Sequence, residues 1–158
     1  MLGRPPPSGA LRAALRAPRL LYRLRLGGLL GHRFMLLTHR GRRSGRLHQA
    51  VLEVARYDPR TRESVVVSGW GERADWYRNV RAAPALTVET GGRRYAPAQR
   101  FLAPDEVYRE MQDYLRRHRW ATPVVRHLFG LRFDGADPAA RVASLRGVAF
   151  RPAPGARR

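Results

Sequence analysis

The chain has 158 residues and a formal charge of +19, and all 31 of its basic residues are arginine. A chain of this length with 44% hydrophobic residues can bury the core of one domain but not of two. It contains no cysteine, which excludes a disulfide framework, a thiolate zinc site, an iron–sulfur cluster and a thiol nucleophile, and favours a cytoplasmic location.

The N-terminal third is purely cationic, since the first 52 residues hold eleven arginines and no acidic residue. Residues 1–10 lack apolar periodicity and are predicted to be a mobile leader. Residues 11–31 gather arginines on one face and leucines on the rest, which predicts a basic amphipathic helix. Its apolar face either caps the domain or lies in a lipid interface, which would give a peripheral contact with the inner face of a membrane. No uncharged run in this third is long enough to span a membrane.

Short apolar or alternating segments predict strands over residues 34–38, 51–57, 64–68, 86–90 and 95–102. A short helix is expected over residues 74–82, and a second helix begins at Pro104, with acidic residues in its first turn and arginines in its last. The C-terminal part is predicted to contain helices over residues 124–131 and 138–145, a last strand over residues 148–150 and a mobile tail over residues 151–158.

Tight turns join the successive strands, so the sheet is expected to be antiparallel. Five or six such strands with peripheral helices predict a mainly β (α+β) domain over residues 32–150, either a small barrel or a half-open sandwich.

A glycine-bracketed basic turn, residues 41–46, lies between the first two predicted strands. Such a turn directs backbone N–H groups toward one point, and its three guanidinium groups add positive charge, which suits an anionic ligand. The alternative is an ordinary solvated hairpin loop. The turn lacks the spacing and the lysine of a phosphate-binding Walker loop, and Ser44 does not lie in a Gly-x-Ser-x-Gly elbow.

Two further residues lie close to the basic turn in the sequence. His48 lies just beyond it, where its ring nitrogens either reach the same anion or face solvent. Glu53 is the nearest acidic residue and is interpreted as an ion-pair partner of Arg43 or Arg46. The five histidines have no spacing typical of a metal site, so no metal is predicted.

A second unusual stretch, residues 68–79, combines glycines with two tryptophans and an amide. Trp76 and Asn79 lie three residues apart on one helical face, where they either line the polar edge of a planar ring or belong to the core. A ligand with an anionic arm and a flat ring would require both stretches to meet in space.

These stretches, together with Leu36-Leu37-Thr38 and residues 75–84, resemble the deazaflavin-dependent nitroreductases or quinone reductases, a family abundant in actinobacteria. The resemblance covers about residues 34–133. It implies a small antiparallel split β-barrel with peripheral helices that binds reduced coenzyme F-420, with the basic turn at the phosphate and the oligoglutamate tail and with Arg42, Arg43 and Ser44 meeting the phosphate. The further cofactor-binding residues that it implies are Gly45, Arg46, His48, Gln49, Val51, Leu52, Ser68, Gly69, Trp70, Gly71, Asp75, Trp76 and Asn79.

The function expected from this resemblance is hydride transfer from reduced coenzyme F-420 to a small-molecule acceptor such as a quinone, an enone or a nitroaromatic. No catalytic residue is assigned. Two alternatives stay open: an FMN-binding split barrel or a non-catalytic deazaflavin carrier, and a cationic module that binds membranes or nucleic acid. No specific nucleic-acid partner is expected, because an arginine-only excess of charge is typical of a GC-rich genome. The sequence carries no signal for the oligomeric state.

Overall fold

The structure, a computed structural model, describes residue 22, residues 27–119 and residues 144–155. Its strands are β1 (Phe34–Arg40), β2 (Leu47–Asp58), β3 (Glu63–Ser68), β4 (Thr87–Thr90), β5 (Arg93–Tyr95), β6 (Pro97–Phe101) and β7 (Arg146–Pro152). Helices α1 (Asp75–Ala82) and α2 (Pro104–Arg117) are accompanied by short 3-10 turns at Gly27–Leu30 and Gly71–Arg73. The two helices confirm the predictions over residues 74–82 and from Pro104 onward.

The seven described strands form one antiparallel sheet in the order β5-β4-β1-β2-β3-β7-β6. Its two edge strands, β5 and β6, are separated in the chain only by Ala96. The chain itself therefore ties the two edges together, and the sheet curls into a nearly closed barrel. This confirms the predicted mainly β fold, a small antiparallel split β-barrel with peripheral helices.

Strand β2 supplies much of the curvature. Its first part pairs with β1 and its second part with β3, and the register with β3 shifts between Val54 and Arg56. A bulge of this kind bends a strand and changes which face a side chain meets. Here Val54 packs inside the barrel and the adjacent Ala55 packs in the layer against α2.

The apolar core has two parts because alternate residues of the strands point to opposite faces of the sheet. The barrel interior is filled by side chains that include Met35, Leu37, Val66, Val148 and Phe150. The outer layer joins β3 and β7 to α2 through side chains that include Val65, Ala149, Val107 and Met111. Tyr77 and Val80 of α1 belong to the interior cluster, so this helix is fixed to the barrel by its apolar face.

The structure corrects the predicted strand count and several strand boundaries. The single strand predicted over residues 95–102 is two strands, because β5 pairs with β4 whereas β6 pairs with β7. Pro97 has no N–H to donate, so the ladder with β4 cannot continue through it. At the C terminus, β7 continues to Pro152 and Ala153 N–H donates to the Ala96 carbonyl, so the chain stays paired within the segment assigned to the tail.

Several predictions lie outside the described residues: the leader, most of the helix over residues 11–31, the helix over residues 124–131, nearly all of that over residues 138–145, and residues 156–158. Tyr22 is described and helical, and its hydroxyl donates to the Phe34 carbonyl at 2.8 Å. Residues 27–30, at the end of that predicted N-terminal helix, form a 3-10 turn instead. In the part of the chain that the structure describes, no helix is both long enough and apolar enough to cross a bilayer.

Candidate active site

A cleft of about 650 Å³ lies between the basic turn, the first part of β2 and α1. The predicted site residues that line it are Arg42, Arg43, Ser44, His48, Gln49, Val51, Leu52, Trp70, Asp75, Trp76 and Asn79. The lining also includes His39, Gly41, Ala50 and Ala74, which are not among the residues singled out for the site. The two sequence stretches therefore meet in space, on two sides of one cavity.

Gly45, Arg46, Ser68, Gly69 and Gly71 are the predicted residues that do not line the cleft. Ser68 is buried and donates its hydroxyl to the Gly71 carbonyl at 3.0 Å. Gly71 has a φ of 54°, and a Cβ on it would overlap the Ser144 carbonyl oxygen. Residues 68–71 therefore form the tight connection from β3 to α1, and here their hydrogen bonds are made within the protein.

The basic turn is closed by backbone hydrogen bonds from Gly41 N–H to the Arg46 carbonyl and from Gly45 N–H to the Gly41 carbonyl, both of 2.8 Å. A Cβ at position 41 would lie 2.7 Å from Ser44 Oγ and 2.8 Å from His48 Nε2, so any other residue there would require these two exposed side chains to move. Within the described part of the chain, the backbone N–H groups of Arg43 and Ser44 donate to no protein acceptor. These two donors are available to a ligand.

Arg43 adds charge to this pair of donors. Its side chain is exposed and pairs with no carboxylate among the described residues. Arg42 differs, because its Nη1 atom lies 3.0 Å from Asp75 Oδ1 and 3.0 Å from Asn79 Oδ1. The uncompensated cation at the mouth of the cleft is therefore Arg43, which suits an anionic group.

Asn79 holds the basic turn against α1. The residue is buried, and its Oδ1 accepts hydrogen bonds from the Arg42 backbone N–H at 3.1 Å and from the Arg42 guanidinium. Its Nδ2 lies 3.2 Å from Nδ1 of His39. An amide nitrogen only donates, so His39 Nδ1 is the acceptor and the neutral ring carries its proton on Nε2. The amide that the sequence suggested for a ligand ring is thus mostly engaged by the protein.

His39 is the main lining residue that the sequence reasoning missed. It is buried, it lies opposite His48 in the β1–β2 register, and the two ring centroids are 6.0 Å apart with an angle of 18° between the planes. Burial lowers the pKa of His39, and the hydrogen bond to the Arg40 backbone and the charge of Asp75 only partly oppose this. The sequence feature that could have identified His39 was the predicted hairpin, because strands on either side of the basic turn bring residues 39 and 48 side by side.

The low pKa of His39 predicts a pH dependence of stability. As the pH falls below about 6.5, the ordinary value for histidine, the unfolded chain takes up a proton that the folded chain does not bind. The free energy of unfolding is therefore expected to decrease on acidification in this range. His39→Gln keeps an acceptor for Asn79 but cannot titrate, so its urea unfolding should depend less on pH. Equal pH slopes for the variant and the wild type would contradict this.

The walls of the cleft are apolar next to the helix. Trp76 is half-buried, packs against the barrel core and meets Tyr77 edge to face at 5.8 Å between centroids. Val51 and Leu52 of β2 line the same cavity, and Trp70 is 65% exposed at its rim. A cationic end and an aromatic end therefore share one cavity, which suits a ligand that is charged at one end and flat at the other.

The interpretation of Glu53 as a partner of the basic turn is wrong. Its carboxylate lies 3.7 Å from Arg33 Nη2 and accepts a hydrogen bond of 2.8 Å from the Tyr114 hydroxyl. Glu53 thus connects β2 to α2. Among the described residues, no three histidine, aspartate or glutamate side chains gather as metal ligands would.

Comparison with solved structures finds similar barrels. An F-420-H2-dependent reductase (FDR-A) is 17% identical over 77% of this chain and 96% of that one, with a TM-score of 0.50. A structure described as a domain-swapped dimer is 16% identical over 91% of this chain and all of the other, with a TM-score of 0.52. A protein of unknown function from Agrobacterium tumefaciens is 14% identical over 90% of this chain and 57% of that one, with a TM-score of 0.50. At these identities the likeness shows a common fold.

The barrel and its cleft define a small split-barrel protein whose cleft is cationic at one end and aromatic at the other. The sequence profile of the F-420H2-dependent quinone reductases matches residues 17–124, and the chain belongs to this family. It is accordingly an oxidoreductase, and its cofactor is coenzyme F-420. No curated protein matches the sequence.

Proposed function

We propose that this protein transfers hydride from reduced coenzyme F-420 to a small electron-poor acceptor, a quinone, an enone or a nitroaromatic, in the cytoplasm. The observation that carries the proposal is that Arg43 and Trp76 line one cleft. Arg43 pairs with no described carboxylate, and the backbone N–H groups of Arg43 and Ser44 donate to no described acceptor. The family membership identifies the cofactor, and the residues that line the cleft are the candidates for holding it.

The cleft fits the cofactor in size and in polarity. A volume of about 650 Å³ lies within the range of small-molecule sites, about 300–1,000 Å³. The cofactor has a flat deazaflavin and an anionic phosphate with a glutamate tail, so it needs an apolar slot and a cationic end in the same cavity. Both are present in the lining residues.

The phosphate end would be held by the basic turn. The N–H groups of Arg43 and Ser44 are two adjacent donors, and the Arg43 guanidinium adds a charge that no described carboxylate neutralises. Because Asn79 fixes Arg42, these donors are oriented before the ligand arrives, which reduces the entropy that is lost on binding.

The deazaflavin would be held by Trp76 and by the β2 side chains Val51 and Leu52. These apolar groups exclude water from the reacting face, and the cofactor supplies the hydride when it is bound. The role of the protein in catalysis is therefore to orient the cofactor and the acceptor and to exclude water from the site. Trp70, exposed at the rim, offers a surface on which a flat acceptor can stack.

Cofactor retention and turnover together test this function. The protein is incubated with F-420 or with FMN and passed through a gel-filtration column, and the reduced deazaflavin is then mixed with a naphthoquinone, cyclohexenone or a nitroaromatic compound. Retention of F-420 and the return of the oxidised cofactor's absorbance with at least one acceptor are expected. Retention without turnover would indicate a carrier, and retention of FMN alone would contradict the proposal.

Replacing Arg43 by alanine is expected to raise the dissociation constant of F-420 by about tenfold, as for the loss of one charge-assisted contact. Fluorescence titration measures this. Arg60→Ala is the matched control, because Arg60 is also exposed and also lies in a turn at one end of β2, but at the end opposite the cleft. An equal loss of affinity in both variants would mean that the overall charge, rather than the Arg43 contact, attracts the cofactor.

A further inference from the structure

The end of the barrel opposite the basic turn contains buried polar groups that the proposed function does not use. Ser64 Oγ, Tyr95 Oη and His32 Nδ1 are inaccessible to solvent and make no hydrogen bond with any described residue. Ser64 is fully buried, and Tyr95 packs against the interior core cluster. Almost every buried polar group in a folded protein has a hydrogen-bond partner, so three such atoms at one end of the barrel require an explanation.

The three groups surround Tyr57, near the end of β2. The rings of His32 and Tyr57 stack, with 3.6 Å between their centroids and 6° between their planes. Ser64 lies directly opposite Tyr57 in the β2–β3 pairing, so both side chains point to the same face, the barrel interior. Burial raises the pKa of Tyr95 to about 12, the Ser64 hydroxyl opposes this rise and Tyr57 adds to it, so Tyr95 lies close to both. The Ser64 and Tyr95 hydroxyl groups nevertheless form no direct hydrogen bond.

His32 closes this end of the barrel. It covers the Tyr57 ring and also packs against the β4–β5 turn, where Gly91 has a φ of 55° and a Cβ on it would overlap the His32 ring. The Gly91 N–H donates to the Gly31 carbonyl at 2.9 Å, which fixes this turn to the residue before His32. Burial, together with the charge of Arg93, lowers the pKa of His32, so the ring at this end is neutral at pH 7.

Ser64 and Tyr95 belong to strands that are not neighbours in the sheet. Tyr95 ends β5, an edge strand, and β4, β1 and β2 separate it from β3, which carries Ser64. A link between the two hydroxyl groups therefore crosses the barrel interior, next to the point where the chain passes from β5 to β6. A water molecule can join two hydroxyl groups that do not meet directly, because each hydroxyl both donates and accepts. A buried water typically makes about three hydrogen bonds, and three polar atoms are present here.

We propose that this end of the barrel is a binding site for an ordered water molecule, held between Ser64 Oγ and Tyr95 Oη with His32 Nδ1 as its third polar neighbour. The groups are uncharged, which suits a neutral ligand. The water satisfies hydroxyl groups that the protein itself leaves without partners, and it connects β3 to β5 across the interior. It thus stabilises the closed barrel at the end away from the cleft.

The sign of two substitutions tests the proposal. Ser64→Ala and Tyr95→Phe each remove one hydroxyl group. With the water bound, each variant is expected to raise the equilibrium constant of unfolding about fivefold, the effect of one lost hydrogen bond. The double variant S64A/Y95F should unfold little more readily than either single variant, because both substitutions remove the same water. Urea unfolding measures these constants. A buried hydroxyl without any partner is unfavourable, so stabilisation by both single substitutions would overturn the proposal.

Thr90→Val is the matched control. The Thr90 hydroxyl is also buried, but it donates to the Phe34 carbonyl at 3.0 Å and thus has a partner within the protein. The effects of Thr90→Val and Ser64→Ala are therefore expected to add, whereas those of Ser64→Ala and Tyr95→Phe are not. Additive effects of Ser64→Ala and Tyr95→Phe would contradict a shared water.

Magnetic relaxation dispersion of water oxygen-17 separates a bound water from a direct hydrogen bond between the two hydroxyl groups. The method counts water molecules that stay in the protein for longer than its rotation takes. The wild type is expected to hold one more such water than S64A/Y95F, and Thr90→Val should hold as many as the wild type. Equal counts in the wild type and S64A/Y95F would overturn the proposal. No measurement here involves the cofactor, so the proposed function is tested separately.

Discussion

Replacing Asn79 by alanine is expected to lower the free energy of unfolding by about 3 kcal/mol and to weaken binding of coenzyme F-420 by at least roughly tenfold. Asn79 is buried, and its amide makes three hydrogen bonds, two to Arg42 and one to His39. The alanine variant leaves the Arg42 N–H and the His39 ring nitrogen without partners. Urea unfolding measures the first effect, and fluorescence titration well below the melting temperature of the variant measures the second.

The loss of affinity follows from the loss of order in the basic turn. Without the amide, the described hydrogen bond from the Arg42 backbone N–H to α1 is lost, so the adjacent N–H groups of Arg43 and Ser44 lose their fixed direction. The variant thus acts through another residue, and Asn79 is a positioning residue. An Asn79→Ala protein that binds the cofactor as tightly as the wild type would show that the turn holds its shape without this anchor.

Asp75→Ala is the matched control for this prediction. Asp75 binds the same nitrogen of Arg42 at 3.0 Å, but its side chain is 81% exposed, so its removal should cost less than about 1 kcal/mol of stability. Asp75 is also a carboxylate in the lining of the cleft, and its loss should make an anionic ligand bind more tightly. The two variants are therefore expected to change the affinity in opposite directions.

Local patterns of the sequence were sufficient for most of the barrel. The apolar runs over residues 34–38 and 64–68 lie within β1 and β3, and the helix over residues 74–82 coincides with α1. Strand β2 begins at residue 47, four residues before the prediction, because its first three residues are exposed and its first four show no alternation of apolar and polar residues. Only their pairing with β1 makes them a strand.

Closure of the barrel was not predictable from local patterns. The break at Ala96 exists because β6 pairs with β7, a strand some fifty residues later, and Ala153 N–H completes it by donating to the Ala96 carbonyl. The bulge at Ala55 similarly depends on which neighbour each half of β2 meets. Contacts between distant segments decide such features, and a single sequence shows them only indirectly.

The candidate site was predictable as a meeting of two stretches but not in its internal bonding. The composition of the two stretches suggested that the basic turn and Trp76 serve one ligand, and in the structure both line one cleft. It did not indicate that Asn79 binds Arg42 and His39, since each of these contacts depends on how α1 sits on the barrel. The error for Glu53 has the same cause, because its partner Tyr114 is on α2, 61 residues away in the chain.

Gly71→Ala is expected to destabilise the protein by about 4 kcal/mol, the largest stability effect predicted for a single methyl group here. Gly71 has a φ of 54°, a left-handed conformation that costs an alanine about 1–2 kcal/mol. In addition, the new Cβ would overlap the backbone oxygen of Ser144, which precedes β7 and cannot move without displacing the start of that strand. Urea unfolding at constant pH measures the change.

Gly45→Ala separates the two causes of this loss. Gly45 has a similar φ of 66°, but a Cβ on it would meet no atom within 4 Å, so only the conformational cost of about 1–2 kcal/mol remains. The difference between the two variants thus measures the close approach of Ser144. Equal destabilisation would mean that the chain before β7 yields freely. A difference of several kcal/mol would mean that glycine at position 71 is required by the packing of β7, the strand that holds β3 on one side and β6 on the other.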